Sequence, residues 1–389
     1  MKKYLITTIG AGCLLVCNPL YADVRFNGFA SVYAGKTLGD DDALYGYQDD
    51  IEYKPESLFG LQASADLGDG LSATAQILAR GEKDFDVEFE WAYLTYSFTD
   101  STDLSVGRLR IPFFKYSEFL DVGFAFPWIR TPRDVYDVDF NTMEGARLNY
   151  YHNAGMWDFA WQGFYGNLDT DLTIDGRDLP SKAKDIVGFS VDATRDWLSF
   201  RLGYTIAEVS IFAGLEALAP LFANPRDFDA VQALEDDGYF ASAGVFIDYQ
   251  DWLINAEIVQ YEPEDSSVVK TDAYYAMLGR RFDEITLAYT YSVSEGSNDF
   301  SAVNSIPSVI PNPRPGTEAL CGQTAREFVR NCVISAESDD TTHSLTFRWN
   351  FLPGAAFTAD YTTRKRDIAV DRTADRTDKL FTVGVDLVF

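Results

Sequence analysis

The sequence predicts an all-β chain, a transmembrane antiparallel up-and-down β-barrel of sixteen strands that follows an export signal. Three observations predict it. Segments of about ten residues with period-two alternation repeat along the chain, the connections between them are alternately short and long, and no long apolar segment follows residue 22. The run 379–389 shows the pattern most clearly. Phe381, Val383, Val385, Leu387 and Phe389 fall on one face of an extended strand, and Thr382, Gly384 and Asp386 fall on the other. Alone, this run would equally fit a strand of a soluble sheet; the rest of the chain points to a barrel.

The first 22 residues set the compartment. Lys2 and Lys3 precede an apolar stretch from Tyr4 to Val16, and Leu20, Tyr21 and Ala22 complete a secretory signal with cleavage expected after Ala22. The apolar run is shorter than the roughly 20 residues a membrane-spanning helix needs. Lipid attachment would need a small residue before the cysteine; Val16 precedes Cys17, and Gly12 precedes Cys13 without the usual apolar residue two places earlier. Residues 23–389 then form one barrel domain. Removing Lys2 and Lys3 takes the formal charge from −28 to −30, which disfavours nucleic-acid binding and suits a hydrated extracellular face. Cys13 and Cys17 leave with the signal. Cys321 and Cys332 remain in a polar, Pro-rich stretch, which in an exported protein reads as a disulfide stapling one loop. A metal site there is disfavoured, because neither His152 nor His343 is near them in sequence.

The strand segments, in order, are 24–34, 57–67, 71–81, 86–98, 102–110, 143–151, 156–166, 185–194, 197–208, 239–249, 252–262, 271–282, 285–294, 342–351, 355–366 and 379–389. In the thirteenth, Ile285, Leu287, Tyr289, Tyr291 and Val293 alternate with Thr286, Ala288, Thr290 and Ser292. In the fourteenth, Leu345, Phe347, Trp349 and Phe351 alternate with Ser344, Thr346, Arg348 and Asn350. Tight-turn residues join alternate pairs: Gly68-Asp69-Gly70, Thr99-Asp100-Ser101, His152-Asn153-Ala154-Gly155, Arg195-Asp196, Gln250-Asp251, Asp283-Glu284 and Pro353-Gly354. The other connections are mostly long and polar, over 35–56, 111–142, 167–184, 209–238 and 295–341.

Strands whose apolar face meets lipid cannot leave edge amides unpaired in hydrocarbon, where each would cost several kcal/mol, so the sheet must close. An even strand count puts both termini on the short-turn rim, which is periplasmic in this architecture. Trp157, Trp197 and Trp252 just after short turns, with Phe98, Tyr249, Phe282 and Phe351 just before them, form an interfacial aromatic girdle. A soluble β-sandwich would not gather tryptophans at one set of turns.

With its export signal, sixteen strands, long and short connections and terminal Phe389, the chain over 23–389 resembles the general bacterial porins of the outer membrane. The resemblance rests on architecture, and the short Pro-Glu-Phe-Gly-Gly-like segment common in enterobacterial porins is absent. It implies a homotrimer, recognition of Phe389 by barrel-assembly machinery, and a third outer loop, 111–142, folded into the lumen. The loop is unusually apolar for an exposed segment, with Phe113, Phe114, Phe119, Leu120, Phe124 and Trp128 available to pack on the wall. Its acids, Glu118, Asp121, Asp134, Asp137 and Asp139, are expected to border the constriction. A lid over the mouth or onto a neighbouring subunit is the other reading.

Facing that loop, Arg80, Arg108, Arg147, Arg201 and Arg348 are the candidate wall residues. Arg80 shares parity with Ser72, Thr74 and Gln76, Arg201 with Ser199, Gly203 and Thr205, and Arg348 with Ser344 and Thr346; Arg147 alternates against Ala146, Leu148 and Tyr150. Arg108 and Arg110 share parity with Leu104 and Val106, so their inward placement needs a bulge or lumenal exposure. A charge facing lipid near the midplane costs about 2–4 kcal/mol, which favours inward arginines. Opposed rows of arginine and carboxylate would set a transverse field across a narrow passage; at the rims the same arginines would be solvated charges.

The function expected is passive diffusion of small hydrophilic solutes and ions across the bacterial outer membrane, without cofactor, metal or chemical step. A channel selective for an anion, phosphate or sugar is the main alternative, and the acidity favours a weak cation preference. A barrel hydrolase would need histidine with serine or acid at the outer rim; His152 falls at a short turn, and His343, near Asp339 and Asp340, has no serine motif. No globular plug precedes the first strand, which disfavours an energy-coupled receptor. Asp40, Asp41, Asp42, Asp49 and Asp50 are either hydrated loop acids or ligands for divalent cations bridging lipopolysaccharide. Residues 211–222 could form a short helix in an outer loop, and 306–316 an extended, Pro-rich one.

Overall fold

The computed structural model describes residues 23–39, 42–138, 140–174, 177–211, 234–263, 269–297, 326, 338–368 and 376–389. The expected signal over 1–22, Asp40, Asp41, Asp139, the helix from residue 212 onward, the 306–316 segment, Cys321 and Cys332 lie outside them.

Sixteen antiparallel strands close into one barrel. They are β1 (Asp23–Thr37), β2 (Leu58–Gly68), β3 (Leu71–Arg80), β4 (Val87–Thr99), β5 (Thr102–Arg110), β6 (Thr142–Ala154), β7 (Trp157–Ile174) and β8 (Arg177–Arg195). The second half comprises β9 (Leu198–Ile211), β10 (Asp236–Tyr249), β11 (Trp252–Pro263), β12 (Lys270–Phe282), β13 (Ile285–Ser297), β14 (Ser338–Leu352), β15 (Ala355–Ile368) and β16 (Arg376–Val388). Each strand pairs with its sequence neighbours, and β1 pairs with β16, with Phe29 opposite Val388 and Thr37 opposite Leu380. Phe389 completes the seam: its N–H donates to the Gly28 carbonyl (2.9 Å), and Gly28 N–H donates to its carbonyl (2.7 Å). Closure leaves no free edge.

The distribution of side chains is inverted relative to a water-soluble protein. Along β9, Phe200, Leu202, Tyr204 and Ile206 are each 43–55% exposed, whereas Arg201 and Thr205 are 5% exposed. The same alternation holds on β12, where Leu278 is exposed and Tyr275 and Met277 are buried, and on β14, where Leu345 is exposed and Thr346 and Arg348 are buried. An apolar exterior around a polar interior is what a barrel surrounded by hydrocarbon requires.

The short connections are two-residue turns, and left-handed backbone recurs in them. Asp69, Asp196, Gln250 and Asp283 have φ of 50–53°, and Gly155 and Gly354 have φ of 65° and 78°. These conformations suit the right-handed twist of hairpins and explain the Gly and Asp at these sites. Trp197 and Trp252 are exposed at this rim, as are Tyr249 and Phe282; Trp197 lies within its turn, one residue before β9 begins.

The expected long loop over 167–184 is instead the upper part of a hairpin. β7 and β8 remain paired from Leu168 opposite Ala183 to Ile174 opposite Arg177, after a register shift near Gly166. The alternation of Leu168, Thr170 and Leu172 with Asp169, Asp171 and Thr173 carries the strand onward.

The main cluster of buried apolar side chains combines the β5–β6 connection with the strands. Ile111, Phe113, Phe114, Trp128, Val135 and Tyr136 pack with residues of β5–β8 and β10–β13. Phe113 and Phe240 have ring centroids 4.3 Å apart, and Phe114 stacks on Tyr136 at 4.4 Å.

Candidate functional site

The β5–β6 connection, 111–141, is tied at both ends and along its length to the buried, polar parity of the strands. Pro112, Pro127 and Pro132 break regular structure, which leaves two short 3-10 turns, Ser117–Phe119 and Gly123–Ala125, and one α-helical turn at Arg133–Tyr136. Many main-chain groups are thereby left without local partners, and wall side chains satisfy several of them. At its base Ile111 N–H donates to the Asn141 carbonyl (2.9 Å). Arg201 donates to the Pro112 carbonyl (2.6 Å), and Ser242 to that of Phe113 (2.9 Å). Arg348 donates to the carbonyls of Gly123 (3.2 Å), Phe124 (2.9 Å) and Phe126 (2.8 Å). Gly123 is required there, because a Cβ would overlap the Asp386 carboxylate. Trp128 Nε1 donates to Thr290 Oγ1 (2.8 Å).

Ion pairs join the wall to the segment. Arg147 meets Glu118 at 2.7 Å, and Arg80 meets Asp121 at 2.9 Å. Asp121 also accepts from Arg110 (2.7 Å), while Glu90 bonds both Arg80 (2.8 Å) and Arg110. Arg201 pairs with Asp192 on the adjacent strand rather than with a loop acid. Arg348 uses carbonyls, with its nearest carboxylate, Asp386, at 3.8 Å. Asp134 accepts from Ser292 (2.5 Å) and lies 3.7 Å from Arg364.

Two expectations fail. Arg108 is exposed on the outward parity of Val106, across from Glu144, so it is not an inner-wall residue. Arg110, which shares its sequence parity, is buried. β4 carries an extra residue opposite the Gln76–Ile77 step, which brings Glu90 and Trp91 inward together, and Arg110, the last residue of β5, bonds that Glu90. Asp137 is exposed and forms no ion pair with the wall arginines.

Several participants escape the sequence reading. Arg130, inside the segment itself, grips Glu56 in bidentate fashion (2.5 and 2.7 Å) and reaches Asp360 (3.0 Å), Thr362 (3.3 Å) and Thr382 (2.8 Å). Glu56 belongs to the β1–β2 connection, so two loops and two strands meet at one guanidinium. Tyr45 of the same connection lies under Arg130 and Arg133, at 5.3 and 4.9 Å. Glu257 on β11 accepts from the Lys115 N–H (3.1 Å), Tyr275 (2.9 Å) and Tyr136. A run of inward polar residues signals a wall, but it does not say which loop arginine will meet it. Asp42 accepts from the backbone N–H groups of Gly39 and Lys379, both at 3.1 Å, so its carboxylate is engaged locally.

Burial works to raise the Asp121 carboxyl, but Arg110 and Arg80 outweigh it and hold the group below the ordinary aspartate range. Asp134 is raised by burial, which Arg364 offsets only in part. A depressed folded pKa gives Asp121 a stabilising contribution that is complete above the unfolded value of roughly 3.9 and is lost as pH falls through the lower folded value. Asp134 acts in the opposite sense and favours the folded arrangement once protonated. With the opposing group removed by Asp134→Asn, backbone hydrogen exchange in the segment, corrected for its intrinsic pH dependence, should be slow at neutral pH and rise below about pH 4 as the Asp121 cluster is protonated. No rise there would contradict the assignment.

No family model and no curated protein sequence matches the chain. Solved structures do match. The outer membrane channel DcaP of Acinetobacter baumannii is 12% identical with a TM-score of 0.58, over 95% of this chain and 97% of that one. An anion-selective porin from Comamonas acidovorans is 15% identical with a TM-score of 0.57, over 95% and 100%. OmpT, an outer membrane protein of Vibrio cholerae solved in a trimer form, is 12% identical with a TM-score of 0.52, over 95% and 99%. At these identities the likeness is one of fold. The chain has the closed sixteen-stranded fold of bacterial outer-membrane porins, with an apolar exterior suited to a hydrocarbon surround.

Proposed function

We propose that this protein is an outer-membrane porin that lets small hydrophilic solutes and ions diffuse passively through a water-filled channel. The segment 111–142 folds into the lumen and narrows it, and no step requires a cofactor or a catalytic residue. The observation that carries this reading is the inverted barrel whose polar inner parity bonds one connection from β3 to β16. The narrowest part lies beside the Arg80–Asp121 and Arg147–Glu118 pairs, where Glu118 keeps 41% exposure and Lys115 keeps 27%.

The passage prefers cations weakly. Arg80, Arg110, Arg147 and Arg201 each have a carboxylate within ion-pair distance, so their charge is largely neutralised. The sequence carries 60 acids against 32 lysines and arginines, which leaves the surplus negative. The anion-selective porin among its fold neighbours makes an anion channel the alternative, for which unpaired wall arginines would be needed. A homotrimer is proposed from the porin-like fold and the trimer form of the Vibrio protein, and Phe389 is proposed as the assembly signal from its place at the β1–β16 seam. A hydrolase is the less favoured reading: His343 is bonded to Tyr289 (2.7 Å), while Asp340 is engaged by Arg364 and Arg366.

Liposome swelling tests the proposal. Vesicles carrying the folded protein should swell in small sugars, at rates that fall steeply as the sugar approaches the width of the constriction. Folded protein that admits none of them would overturn it.

A further inference from the structure

The outer face of β11–β16 carries a groove of about 590 Å³ that the channel itself does not use. Leu287, Phe347 and Ala359 form its floor, and Leu278, Leu345 and Phe381 stand along one side. Ala359 creates the depression: it sits in register between the larger Phe347 and the outward wall of β16. Asp360 borders the groove by position, but its carboxylate is bonded to Arg130 on the inner side.

At the short-turn end of this groove stands Arg280. It is exposed and shares the outward parity of Leu278 and Phe282, directly across from Leu287 and Trp252. Its guanidinium lies 5.0 Å from the Trp252 ring centre and 5.1 Å from that of Phe282. Among the described residues no carboxylate lies within ion-pair distance of it, in contrast to the inner arginines. Two aromatic rings hold the fork in place without neutralising it. Arg280 lies two residues before the end of β12, so its Cα is roughly 7 Å of strand from the turn, within reach of the headgroup layer for a long side chain.

We infer that this groove is a phospholipid site, with the lipid phosphate on Arg280 and one acyl chain along Leu287, Phe347 and Ala359. An unpaired guanidinium on a lipid-facing wall needs an anion, and its planar fork matches phosphate oxygens in bidentate geometry. The apolar floor leads directly away from the charge, which fits a molecule with an anionic head and an aliphatic tail. Glycerophospholipid is the occupant rather than lipopolysaccharide because the short-turn rim faces the periplasmic leaflet; this assignment rests on the membrane orientation proposed above.

Native mass spectrometry of the folded protein, titrated with dioleoylphosphatidylglycerol, tests it independently of conduction. Arg280→Gln should weaken the first lipid bound by roughly tenfold, as expected for the loss of a charge-assisted contact. Arg280→Lys, which keeps the charge but loses the fork, should fall between. Ala359→Trp keeps the arginine and fills the groove, so it should also lose that lipid and decides the matter if Arg280→Gln fails to fold. Equal binding by wild type and Ala359→Trp would overturn the site. Displacement by equimolar lipopolysaccharide would overturn the choice of leaflet, and a change in oligomer mass alone would hand the groove to a second copy of the chain.

Discussion

Arg130→Ala will lower the stability of the folded barrel by about 3–5 kcal/mol, the loss typical when one partner of a buried ion pair is removed. Arg130 is buried with Glu56 and Asp360, whose side chains are 7% and 4% exposed. Alanine leaves both carboxylates in that setting. Arg133, 3.9 Å from Glu56, is too distant to replace a bidentate partner. The change also frees Thr362 and Thr382, so the segment after Trp128 loses its hold on β15 and β16. Two readouts follow: the temperature at which the folded, fast-migrating species is lost in detergent should drop, and the single-channel current should become larger and noisier. Arg130→Lys should recover only part of either, because an ammonium cannot bridge Glu56 and Asp360 in the same geometry. An unchanged unfolding temperature for Arg130→Ala would remove this residue from the set of anchors.

Asp121→Asn will shift the channel toward anions. Asp121 lies 2.9 Å from Arg80 and 2.7 Å from Arg110, with Glu90 as the other main carboxylate of the cluster. The amide keeps the shape but removes one negative charge, and it leaves two guanidinium groups against Glu90. A unit charge roughly 8 Å from a permeating ion in a water-like dielectric is worth about 0.5 kcal/mol, of opposite sign for cation and anion, so the cation-to-anion permeability ratio should fall by roughly fivefold to sixfold. Reversal potentials in a salt gradient read this directly. No shift would mean that the cluster lies away from the path of the ions, and the passage would then have to run beside Glu118 and Lys115 alone.

Sixteen strands and seven short turns were legible in the sequence because both signals are local. Alternation reports one strand at a time, and the left-handed turns select Gly, Asp or Gln at fixed places. The β7–β8 hairpin was less legible where it extends beyond the apolar band. There Asp169 and Asp171 resemble loop acids, although the backbone stays paired. The site was half legible for the same reason. Parity found Arg80, Arg147, Arg201 and Arg348, which all lie on the inner face. For Arg108 the alternation pointed outward, with Leu104 and Val106, and the structure keeps it there: the bulge that an inward placement required does not occur in β5 at that position. Parity had no means of finding Arg130 and Glu56, which are 74 residues apart on two different loops. Such pairs are set by how loops meet, and no local pattern encodes that.

The most direct measurement is the single-channel current of the refolded wild-type protein in a planar bilayer between unequal potassium chloride solutions. Stable conductance steps are expected, with a reversal potential whose sign reports potassium passing more readily than chloride. A folded barrel that carries no current would contradict an open passage beside segment 111–142. A reversal potential of the opposite sign would contradict the neutralisation of the wall arginines.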